Sequence, residues 1–192
     1  FFDRLMKIAI GTVQFGLNYG ISNSGGAVNL DMIDKILKLC KQNNLDMLDT
    51  AQSYGNSEFQ IGQFVSKGFK IVTKLKPEIK GHEILISIKE SIKNLKQKRL
   101  YGLLFHNFSD YKENPESYET LKNVKKDGLI QKIGFSLYYP QDLELLFEND
   151  IEFDLIQIPF NIFDQRFLPY FKELKRRNIE IHVRSAFMQG LV

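Results

Sequence analysis

Short apolar runs alternate with longer amphipathic stretches along the whole of this 192-residue chain, and that alternation limits the fold more than any other feature. The runs cover residues 7–10, 47–48, 71–73, 101–105, 132–135, 155–158 and 180–183. Runs this short read as strands buried on both faces, the pattern of a parallel sheet. Between them apolar residues recur at three- and four-residue spacings. The clearest set is Ile33, Ile36, Leu37 and Cys40, in a helix capped by Asn29 or Asp31. Further sets are Ile84, Leu85, Ile88, Ile92 and Leu95, then Leu143, Leu146 and Phe147, then Phe167, Tyr170, Phe171 and Leu174. Pro77 and Gly81 precede one helix, Asn114 and Pro115 open another, and Gly128 follows it.

Strand then helix, repeated without hairpin signals or Pro- and Ser-rich linkers, predicts one α/β domain over residues 1–192. A (β/α)8 TIM barrel accounts best for seven such strands, with a doubly wound sheet as the alternative. A full barrel takes about 250 residues. The eighth strand, the last helices and the C-terminal loop are therefore expected to be absent, and residues 1–5 are read as a leader or an expression remnant.

Composition narrows the partners. The 26 basic against 23 acidic residues leave a formal charge of +3, and no dense basic tract with interleaved aromatics suggests nucleic acid. The lysine-rich stretch 89–99 reads as the solvated face of one helix. No apolar run approaches the roughly 18 residues of a membrane span. The one cysteine, Cys40, lies on an apolar helix face, which suits a reducing compartment, and a cytoplasmic protein is the expectation.

In a barrel, chemistry gathers where the strands end. Asp49, Lys74 and His106 follow the second, third and fourth apolar runs. Ser136 follows the fifth, Gln157 lies near the end of the sixth, and Arg184 and Ser185 follow the seventh. Tyr54 is in the loop after Asp49. Each has a plainer reading alone: a solvated lysine, a turn aspartate, a surface tyrosine, a satisfied structural histidine. Jointly, ionisable groups ending three successive strands point to a site. A phenol ionises near pH 10. An ammonium about 4 Å away stabilises the phenolate by roughly 4 kcal/mol at an effective dielectric near 20. Lys74, held by Asp49, is thus expected to lower the Tyr54 pKa, and His106 to orient a carbonyl oxygen. No side chain donates hydride, so a nicotinamide or flavin is required.

These residues resemble the aldo-keto reductase family over about residues 8–191. The segment Leu48-Asp49-Thr50-Ala51-Gln52-Ser53-Tyr54-Gly55-Asn56-Ser57-Glu58 is similar to the family's Asp-Thr-Ala…Tyr-Gly…Ser-Glu signature. Val72-Thr73-Lys74 and Leu104-Phe105-His106 resemble its lysine and histidine strands, and Gly11-Thr12-Val13-Gln14-Phe15-Gly16 its opening loop. The resemblance implies reduction of a small-molecule aldehyde or ketone, without a metal. Tyr54 is then the general acid, Lys74 and Asp49 its tuners, and His106 the carbonyl orienter. Ser136 and Gln157 are implied to hold the nicotinamide carboxamide. Thr12, Val13, Arg184 and Ser185 are further implied cofactor contacts, Ser185 at the pyrophosphate. The family uses NADP(H) more often than NAD(H).

The chain departs from the family pattern in three places. Leu137 stands where an Asn often follows the strand-five serine, so one amide contact is expected to be lost or replaced. Arg184 stands where many members stack an aromatic on the nicotinamide, and is expected to reach an anionic substrate or a cofactor phosphate. The region that carries the family's adenosine-phosphate loop is the third. The opening loop with Tyr19-Gly20 and Arg184-Ser185 resembles a bacterial branch of sugar-modifying enzymes, which adds a keto-sugar to the implied substrates. Two other functions share these residues. One is a non-catalytic nicotinamide-binding regulatory subunit. The other is a TIM-barrel lyase or isomerase with Lys74 as Schiff-base amine.

Overall fold

A computed structural model describes residues 8–64 and 68–190. Lys7 of the first expected strand, residues 1–5 and Leu191 lie outside the described residues. Seven strands form one sheet: β1 (Ala9–Gly11), β2 (Met47–Asp49), β3 (Lys70–Lys74), β4 (Leu100–Phe105), β5 (Ile130–Ser136), β6 (Leu155–Pro159) and β7 (Glu180–Arg184). All six pairings are parallel, and the spatial order is β1-β2-β3-β4-β5-β6-β7. A doubly wound sheet reverses its strand order at a switch point. This sheet never does, so it is an incomplete (β/α)8 barrel. The loops after β1 and β7 meet across the curl, where Ser22 Oγ donates to Gln189 O at 3.2 Å.

Helices cross over between strands: α1 (Val13–Gly16), α2 (Leu30–Gln42), α3 (Ser57–Phe64), α4 (Glu83–Asn94), α5 (Phe108–Glu113), α6 (Ser117–Lys126), α7 (Pro140–Glu148) and α8 (Phe171–Arg176). Asn29 caps α2, its side chain accepting from Met32 N at 2.9 Å. Ile33, Leu37 and Cys40 are the buried face of that helix. In α4, Ile84 and Ile88 are buried while Lys89 and Lys93 face solvent. Helices α3 and α5 carry no periodic signal. Residues Ser57 and Glu58 bury polar groups at the start of α3. In α5 only Phe108 is buried, packed edge-on against Phe135 at 5.8 Å.

The main core lies between strands and helices, and includes Phe105 and Phe135. A smaller cluster of Met47, Val72, Leu104 and Leu155 fills the barrel side of the sheet. Beyond it, near the strand starts, Glu180 takes up polar groups: Tyr101 Oη donates to it at 2.6 Å, His182 Nε2 lies 2.7 Å away, and Lys132 pairs with it. Burial opposes ionisation there, but the bonds from His182, Lys132 and Tyr101 outweigh it and hold the carboxyl well below its ordinary range. That end of a barrel serves stability, which leaves the opposite, C-terminal end for chemistry.

Candidate active site

The strands run further than the apolar runs suggest, because the parallel ladder takes in the polar residue that follows. Gly11 pairs with Asp49, Lys74 with Leu104, Ser136 with Gln157 and Pro159 with Arg184. Asp49, Lys74, Ser136 and Arg184 are thus the last residues of their strands, held by backbone hydrogen bonds, and His106 follows directly on β4.

One oxygen ties three strands together. Asp49 Oδ1 accepts from Lys74 Nζ at 2.8 Å and from Gln157 Nε2 at 2.8 Å. Lys74 Nζ also donates to Thr50 O at 2.9 Å. The lysine is 1% exposed, so its charge is buried with its partner. Its Nζ lies 5.2 Å from the centroid of the Tyr54 ring. The Tyr54 and His106 rings meet edge to face at 5.9 Å. The structure therefore brings Asp49, Tyr54, Lys74, His106 and Gln157 together. Among the described residues the Tyr54 hydroxyl carries no hydrogen bond.

The electrostatics differ from the expectation for Tyr54. Burial, with the Asp49 charge next and Tyr19 and Tyr138 after it, pushes the phenol above its ordinary range, and Arg184 alone opposes them. The net lowering expected from Lys74 is absent, because desolvation of the ring and the Asp49 charge dominate. Burial acts the other way on His106: with help from the Lys74 charge, it pushes the imidazole down to about 4. A neutral ring results at neutral pH. Ser53 Oγ lies 3.0 Å from its Nδ1. Nothing in the loop spacing marks Ser53.

Close backbone packing positions the Tyr54 loop. A Cβ added at Gly16 would lie 1.8 Å from Tyr54 O and 2.7 Å from Ser57 N. Gly55 next to Tyr54 has φ +56, where L side chains are strained. The two glycines that bracket the opening loop and the signature are therefore where two backbones touch. Ser57 Oγ donates to Thr12 O at 3.0 Å and lies 3.2 Å from Thr50 Oγ1. Thr73 Oγ1 donates to Glu58 Oε1 at 2.6 Å, beside Lys74. Burial pushes the Glu58 carboxyl up. Substituting Gly16→Ala should force the Tyr54 backbone away and lower Tm by several degrees, the cost of overpacking against a fixed backbone. Thermal unfolding of the purified variant tests this; an unchanged Tm would refute the close approach.

The other expected contacts divide. Ser136 and Gln157 are buried side by side on paired strands. Among the described residues, the Ser136 hydroxyl and Gln157 Oε1 carry no hydrogen bond. A hydroxyl donor beside an amide acceptor fits a carboxamide, which offers one oxygen and one NH2. Thr12 is fully buried and its hydroxyl donates to Asp49 O at 2.9 Å, so it braces β2. Val13 opens α1 and is half-buried. Ser185 is exposed with φ +59, and its carbonyl accepts from Asn161 Nδ2 at 3.2 Å. Leu137 O takes a hydrogen bond from Arg184 Nη2 at 3.0 Å.

The chain matches the sequence model of the Aldo/keto reductase family over residues 7–192. Its fold is similar to that of a Pseudomonas aeruginosa protein described as an aldo-keto reductase, with a TM-score of 0.81 and 25% identity over 95% of this chain and 74% of that one. An aldo/keto reductase from Brucella melitensis is similar in fold at a TM-score of 0.70 and 21% identity, covering 94% of this chain and 68% of that one. A Bombyx mori aldo-keto reductase crystallised with NADP gives a TM-score of 0.73 and 20% identity, covering 94% of this chain and 62% of that one. No curated protein matches in sequence.

Proposed function

The chain belongs to the aldo/keto reductase family, an oxidoreductase family acting on carbonyl compounds, and on that premise we propose that it reduces an aldehyde or ketone, with Tyr54 donating the proton and NADPH as reductant. The observation that carries this reading is the joining of Asp49, Lys74, Tyr54 and His106 at one end of the sheet. Bound nicotinamide supplies the hydride that the side chains lack. The choice of NADP(H) rests on the Bombyx mori relative, which was crystallised with NADP. Ser136 and Gln157 would hold the carboxamide through the hydroxyl and Oε1 left open. A keto-sugar is the substrate class suggested by the opening loop and Arg184-Ser185.

The residues divide the work. With the Ser53 hydroxyl donating to Nδ1, neutral His106 keeps its proton on Nε2 and offers it to the carbonyl oxygen. Tyr54, a phenol that stays protonated, gives its proton to the same oxygen as negative charge develops there. The Lys74 ammonium, fixed by Asp49 Oδ1 and Thr50 O, stabilises the phenolate left behind. The same engagement of Lys74 argues against a free Schiff-base amine.

The basic test is NADPH consumption across a panel of aldehydes and ketones; none turned over, with NADPH still bound, would favour a regulatory subunit instead. The pH dependence adds a second. Since the folded protein protonates His106 only near pH 4, kcat/KM should hold through pH 6.5 and fall with a midpoint near 4. The unfolded chain binds that proton near pH 6.5, so His106 also costs stability as the pH drops from 6.5 towards 4. An acid limb near 6.5 that disappears in His106→Gln would contradict the buried, neutral imidazole.

A further inference from the structure

Arg184 is a half-buried cation at the end of β7, and among the described residues it has no carboxylate partner. One of its five donors is used, Nη2 on Leu137 O at 3.0 Å. Its guanidinium lies 3.8 Å from the centroid of the Tyr138 ring. A backbone carbonyl and a ring face hold its orientation but neutralise no charge. Taking a cation partly out of water without an anion is unfavourable, so a purely structural arginine would be expected to find one.

The strand-end carboxylate of Asp49 is already engaged, its Oδ1 accepting from both Lys74 and Gln157. Of the charged groups that end the strands among the described residues, Lys74 and Arg184 oppose Asp49 alone, which leaves one positive charge unbalanced. That charge is felt at the reacting groups, because Arg184 lowers the pKa of both Tyr54 and His106. Resting on the carbonyl-reductase reading, we propose that the remaining Arg184 donors form a subsite for an anionic group, a carboxylate or phosphate, on the carbonyl substrate. A guanidinium fork matches such oxyanions bidentately. Leu137 contributes through its carbonyl, which keeps the fork in place, and Tyr138 covers one guanidinium face.

The NADPH-saturated protein and its Arg184→Met and Arg184→Lys variants would be assayed with substrate pairs of matched shape. These are 4-carboxybenzaldehyde against 4-nitrobenzaldehyde, and succinic semialdehyde against butanal. The ratio of kcat/KM, anionic over neutral, should favour the anion in the parent protein. In Arg184→Met it should fall by about 10- to 100-fold, the usual worth of a hydrogen bond to a charged group. Arg184→Lys should keep part of the preference. An unchanged ratio overturns the proposal. So does loss of NADPH affinity with no change in ratio, which would assign Arg184 to a cofactor phosphate. A readout without turnover separates this from the reductase reading: calorimetric binding of 4-carboxybenzyl alcohol against benzyl alcohol. The acid should bind more tightly, and Arg184→Met should remove the difference. Equal binding of both by the parent protein refutes the anion subsite even if carbonyl reduction is found, whereas tighter binding of the acid upholds it even if no carbonyl is turned over.

Discussion

Tyr54→Phe is expected to lower kcat for carbonyl reduction by at least about 100-fold, and by up to ~10,000-fold if no water replaces the proton donor. The substitution removes only the hydroxyl. The ring keeps its edge-to-face contact with His106 and its place 5.2 Å from Lys74 Nζ. Because the hydroxyl carries no hydrogen bond among the described residues, its loss breaks no internal contact. The phenol also leaves a buried setting that keeps it protonated, so folding should change little. Nicotinamide fluorescence and thermal unfolding should match the parent protein while single-turnover reduction collapses. Retained turnover with native-like NADPH binding would remove Tyr54 from the mechanism and point to His106 or water as the acid.

Lys74→Met should affect both stability and chemistry. It leaves the Asp49 carboxylate, 18% exposed, with Gln157 as its side-chain hydrogen-bond donor. Breaking a buried ion pair from one side costs about 3–5 kcal/mol. Asp49 keeps some solvent contact, so the lower figure applies. At roughly 2–4 °C per kcal/mol for a chain of this size, Tm should fall by about 6–12 °C. Adding Asp49→Asn removes the unpaired charge and should recover most of that loss, while reduction stays at the level of the single variant. The two observables distinguish the roles of the pair: a double variant no more stable than Lys74→Met would mean that the ion pair does not govern the stability change. Full turnover in Lys74→Met would exclude the lysine from phenolate stabilisation.

Much of the fold was legible because burial writes itself into periodicity. The seven apolar runs became seven strands, most of them longer than the run by one to three residues. Asn29 capped its helix because Asn is suited to accept from the N-terminal N–H groups. Helices α3 and α5 were not legible. The first begins on buried polar residues, Ser57 and Glu58, and the second depends on Phe108 reaching an aromatic cluster assembled from distant segments. In the site, strand-end position and residue type picked out Asp49, Lys74 and His106, while Ser53 had no spacing rule to mark it.

The sequence by itself determined the order of strands and helices, and with it which polar residues would end the strands at one mouth. These are local properties, carried by neighbours a few residues apart. Only the tertiary structure decided how those groups share charge. Asp49 serves Lys74 and Gln157 through one oxygen, across 25 and 108 residues of chain. The direction of the Tyr54 shift was decided there too, because desolvation depends on what packs around the ring. The contact of Gly16 with the Tyr54 backbone and the seat of Arg184 on Leu137 and Tyr138 arise in the same way. Proximity in space sets these energies, and a single sequence records spacing along the chain.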